Sequence, residues 1–155
     1  MTIRALEPHS MRPRSAKNVD RYVAAVRRTA RGIDSISFEL QELAASSGTL
    51  MACAEDIAGD AQKLRHRLQV ELGDDGWLEN NYFKTGRDPI WCITLINLTG
   101  PLLGTRRFIE WFEANHKRRI GEEVFSQVDV CRWQFDGSRM MPNVVASVSL
   151  DHKSD

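Results

Sequence analysis

The sequence predicts an α+β protein: an N-terminal long amphipathic helix, or an antiparallel helical hairpin, followed by a small β-α-β-β unit. Three observations predict it. A seven-residue apolar rhythm keeps its phase over residues 19–68. Glycines and aspartates break the chain at residues 73–76, as turn-forming residues do. Beyond them, strand-like alternation flanks one amphipathic helix.

In the first element, one position of the repeat holds Val19, Val26, Ile33, Leu40, Ser47, Ala54, Ala61 and Leu68. Three residues on stand Tyr22, Thr29, Ile36, Leu43, Leu50, Ile57 and Leu64. On a helix these form one apolar stripe, and such a stripe requires a covering partner. Outward positions are mostly polar, including Asp20, Arg21, Arg27, Arg28, Gln41 and Glu42. Phe38 is an apolar residue on that outward face and is therefore a candidate partner contact.

Residues 1–15 read as a flexible basic arm, because Pro8 and Pro13 interrupt a polar stretch with no periodicity. Ser15 can cap a helix starting near Ala16, and the helical element covers residues 16–73. The stretch Ala44-Ala45-Ser46-Ser47-Gly48-Thr49 leaves two readings open. As a turn it folds the chain into two antiparallel helices. As helix it preserves the repeat, although Ser, Ser and Gly cost about 1–2 kcal/mol of propensity. Folding back there places Lys63, Arg65 and Arg67 beside Arg31, Arg28 and Arg27.

Residues 74–88 form a connection to a unit spanning residues 89–151, with a tail at 152–155. Within that unit, residues 90–99 carry helix-like brackets at Asp88-Pro89 and Gly100-Pro101. Their Ile, Thr and Trp content suits a strand buried on both faces, and strand is the preferred reading. Residues 102–119 predict a helix with Leu102, Phe108, Ile109, Phe112 and His116 near one face. Residues 128–135 and 144–150 alternate around the turn Asp136-Gly137-Ser138 and predict a hairpin.

Composition narrows the function. The net charge is zero, yet it is segregated. Residues 1–32 carry eight basic side chains against Glu7 and Asp20, whereas residues 33–62 carry six acids and no base. Separation of this kind marks a docking surface or self-association. The three cysteines are widely spaced and give no disulfide framework or CxxC knuckle, so buried free thiols are expected. The N-terminus lacks a signal core. The longest apolar run, residues 90–104, is too short for a membrane span and contains Asn97, Gly100 and Pro101. A cytoplasmic protein with no membrane contact is expected.

No residue cluster identifies a reaction. Cys92 or Cys131 with His116 could be imagined as nucleophile and base, but no spacing requires it. Asp74-Asp75 and Glu122-Glu123 read as solvated element ends. The expectation is a protein without catalytic residues, cofactor or metal: an oligomeric adaptor, inhibitor or regulator, a homodimer that also binds another protein. Phe38, Phe108 and Trp111 are its candidate partner surface. The alternative is a nucleic-acid-associated regulator, with Arg12, Arg14, Arg27, Arg28, Arg31, Lys117, Arg118 and Arg119 neutralising phosphates. A third reading is a small enzyme with an anion site at the loop of Gly100, Gly104, Arg106 and Arg107. That loop lacks the lysine of a phosphate-binding P-loop.

Overall fold

Apolar residues placed two apart, rather than three and four apart, organise the middle of the first half. In the computed structural model, which describes residues 1–3, 6, 18–73, 91–98, 100–138 and 140–150, residues 36–56 form a β-hairpin. The described residues comprise α1 (Val19–Thr29), β1 (Ile36–Ala45), β2 (Thr49–Asp56), α2 (Asp60–Leu72), β3 (Trp91–Asn97), α3 (Thr105–Asn115), β4 (Gly121–Phe125), β5 (Gln127–Phe135) and β6 (Met140–Ser149). The fold is mostly β, with three short helices. This corrects the expected long helix or helical hairpin over residues 16–73, and with it the coiled coil.

The physical reason for the error lies in β1. Spacings of four, such as Ile36 to Leu40 and Leu50 to Ala54, are even and therefore fit a strand as well as a helix. The odd step from Leu40 to Leu43 is absorbed by a bulge. Leu40 pairs with Ala54 and Glu42 with Cys53, which leaves Gln41 as the extra residue. Ile36, Phe38, Leu40 and Leu43 thus share one face of a strand while mimicking a heptad. The turn itself falls at residues 46–49, where Ser46 N–H donates to the Thr49 carbonyl at 2.8 Å.

The first sheet is antiparallel throughout, in the order β3-β2-β1-β4. β4 is a strand the sequence reading did not foresee, and it contains Glu122 and Glu123. Ahead of β4, the loop leading into it extends the ladder: Ile120 N–H donates to Leu40 O, and Leu43 N–H donates to His116 O, both at 2.7 Å. The strands β3 and β4 lie on opposite edges of this sheet, and β5 and β6 pair in a separate two-stranded ribbon. That arrangement replaces the expected self-contained β-α-β-β unit.

Both early helices follow their apolar stripes. Tyr22, Ala25, Val26 and Thr29 of α1 are buried, as are Ala61, Leu64, Leu68 and Leu72 of α2. They meet Ile36, Phe38, Trp91, and the ribbon base at Val130, Val148 and Leu150 in one core. Arg65 is buried in α2; its guanidinium lies 3.6 Å from the Trp91 ring centre and its Nε donates to the Ile3 carbonyl at 2.8 Å. Stacking a cation on an aromatic face makes this burial tolerable. α3 buries none of its residues.

Candidate interaction surface

The β5–β6 ribbon carries the strongest surface signal, and its geometry follows from strand pairing. Residues directly opposite in an antiparallel pair share a face. Cys131 opposes Val144, Trp133 opposes Pro142, and Phe135 opposes Met140. One face of the outer ribbon is therefore made of six uncharged residues. Arg132, Asn143, Gln134 and Met141 occupy the other face. The apolar face is open to solvent: Trp133 is 52% exposed, Phe135 65%, Met140 44% and Val144 50%. Only the ribbon base is packed, through Val130, Val148 and Leu150.

Sequence reasoning misses this surface because alternation along residues 128–135 reveals an apolar face without revealing what covers it. The tryptophans are not uniformly core residues: Trp91 is buried, whereas Trp111 and Trp133 are about half exposed. The thiols differ from expectation as well: Cys131 is exposed, and Cys53 and Cys92 are half-buried. Burial, then repulsion from Asp129, pushes the Cys131 thiol above its ordinary range.

The expected partner residues divide. Phe38 is 2% exposed, with its ring 5.3 Å from Trp91 and 6.0 Å from Phe125. It belongs to the core, because strand alternation turns it inward where a helix would turn it outward. Phe108 and Trp111 remain on α3, half-buried and exposed respectively, with ring centres 6.3 Å apart.

The basic residues are gathered by the packing of α1 against α2. Arg28, Thr29, Arg31, His66, Arg67, Val70 and Glu71 line one open cleft. Part of this charge is already engaged. Arg28 Nη2 meets Glu71 Oε1 at 2.6 Å, and Arg67 Nη1 donates to the Thr29 and Arg31 carbonyls at 3.1 and 2.9 Å. The Thr29 carbonyl ends α1 and the Arg31 carbonyl lies in the turn after it, a helix C-terminus where a cation is favourable. Lys117, Arg118 and Arg119 lie between α3 and β4. Arg119 bridges Glu39 and Glu122, the latter at 2.5 Å. Arg12 and Arg14 lie outside the described residues, as does nearly all of the expected arm.

The glycine loop does connect a strand to a helix. Gly104 precedes α3 with φ of 82°, a conformation glycine adopts freely. Arg106 is held by Glu110 at 3.0 Å, and among the described residues of this loop nothing else indicates a ligand. His116 Nδ1 lies 3.2 and 3.0 Å from the carbonyls of Phe112 and Glu113, so it completes the end of α3 rather than activating a thiol. Among the described residues, no group of three or more His, Cys, Asp or Glu is placed to hold a metal ion. Among them, too, no helix is long and apolar enough to cross a membrane.

Comparison with known proteins identifies the fold alone. No family model matches the chain, and no curated relative does. The chain resembles the crystal structure of TT0787 of Thermus thermophilus, with a TM-score of 0.64 and 17% identity, over 91% of this chain and 74% of that one.

Proposed function

We propose that this chain is a non-enzymatic interaction protein that works as a homodimer, the apolar face of its β5–β6 ribbon covered by the same face of a second copy. The supporting observation is the uncharged, solvent-facing row Cys131, Trp133, Phe135, Met140, Pro142 and Val144. At roughly 150–250 Å² per large side chain, the exposed fractions of this row amount to about 500 Å². Two such faces together reach about 1,000 Å², the size at which interfaces become specific. A ribbon of two strands is marginal in water without a cover. A two-fold contact brings like against like, which suits this row because it contains no charge to be buried.

Light scattering coupled to size exclusion tests the reading at micromolar concentration. A mass twice 17.6 kDa is expected for the full chain. Trp133→Ser with Phe135→Ser is expected to give the monomer mass with unchanged circular dichroism. A monomeric unsubstituted chain would overturn the proposal.

A second reading rests on the α1–α2 cleft, where Arg28 of α1 and Arg31 of the turn after it meet His66 and Arg67 of α2. A phosphate-bearing polymer would suit it. Binding of a single-stranded oligonucleotide should then weaken steeply with salt and fall on Arg28→Ala with Arg31→Ala. Binding that is absent or independent of salt eliminates this reading.

A further inference from the structure

Two of the three cysteines, 39 positions apart in sequence, are neighbours in space. Cys53 of β2 and Cys92 of β3 are directly opposed in the antiparallel ladder. They lie on the sheet face away from α1 and α2, since the adjacent pair Ala54 and Trp91 packs into the core those helices form. Opposed residues have Cα atoms about 4.5–5.5 Å apart in such a ladder. A disulfide requires about 4.4–6.8 Å. Glu42 of β1 is the next residue in the same row.

We infer that Cys53 and Cys92 form a redox-sensitive cross-strand dithiol, a modification site that closes to a disulfide on exchange with a small-molecule disulfide and staples the edge strand β3 to β2. The electrostatics agree that these groups face one another. Burial first, then Cys92 and Glu42, push the Cys53 thiol above its ordinary range. Both thiols are half-buried and so remain within reach of a small reagent.

The chemistry balances with oxidised glutathione as the oxidant. One cysteine thiolate attacks a glutathione sulfur, forming a mixed disulfide and expelling one glutathione thiolate. The second cysteine thiolate attacks the bound cysteine sulfur and expels the other. Two electrons pass to glutathione, and the two protons lost by the cysteines appear on the two glutathione thiols. The bond closes a long loop, which restricts the unfolded chain and raises stability.

The test uses the full chain and a Cys131→Ser variant, each incubated with oxidised glutathione, alkylated and mapped by mass spectrometry. The expected product is an intramolecular bond between the peptides carrying Cys53 and Cys92. Its formation should raise Tm by roughly 5–15 °C, reversed by dithiothreitol. Alkylation of both residues after oxidation, or stable glutathione adducts on each, would overturn the inference. Peptide mapping of the unsubstituted chain decides the matter even if the variant folds poorly. The result is independent of dimerisation through the ribbon.

Discussion

Phe38 decides between two arrangements of the same residues. In the sheet it is walled in by Trp91 and Phe125, so Phe38→Ala should cost about 3–5 kcal/mol, read from the urea midpoint. An outward position on a helix would give a change near zero. Glu39 offers a second test at this scale. It sits between Glu55 and Glu122 in the ladder, where like charges repel. Hydrogen bonds from Gln41 and then Arg119 hold its carboxyl below the ordinary value of 4.5. A carboxyl lowered in the folded state contributes stability above its unfolded value and loses it as pH falls through the folded one. Glu39→Gln should therefore lower the urea midpoint near neutral pH, with the difference vanishing in strong acid. Arg119→Met should likewise lower Tm, with added salt restoring part of the loss.

At the scale of elements, the bulge in β1 is the informative feature. Deleting Gln41 would leave Leu40, Glu42 and Leu43 facing Ala54, Cys53 and Ala52 in an uninterrupted ladder. The deletion should keep the far-ultraviolet circular dichroism and cost no more than about 1–2 kcal/mol. A helix would instead have its later residues rotated by about 100°. The same bulge explains what the sequence could disclose. In α1 and α2 the repeat was legible, because Tyr22, Val26, Leu64 and Leu68 are buried where a helical stripe places them. Between them, even spacings and one bulge made a hairpin indistinguishable from a heptad. The turn at residues 46–49 was legible from its serines and glycine, but not the conformation of its flanks. The alternation of β5 was legible, whereas the exposure of Trp133 and Phe135 depends on where distant elements lie.

At the scale of the whole molecule, burial and charge are both uneven. The core joins α1 and α2 to one sheet face and the ribbon base. Thirteen of the exposed large apolar residues among those described fall at positions 95–145. The segregated charge takes two separate places. Arg28, Arg31 and Arg67 surround the helix cleft, and Glu39, Glu42, Glu55 and Glu122 lie on the outer sheet face. The uncharged face of the ribbon is the surface on which the proposed dimer would form without opposing like charges.

Backbone hydrogen exchange across residues 131–144, followed through a dilution series, measures that meeting most directly. Protection should be high at concentrations that sustain the dimer and fall on dilution, while residues 64–68 of the core stay protected throughout. Exchange in the ribbon that is fast at every concentration, or slow at every concentration, would contradict a cover supplied by a second copy.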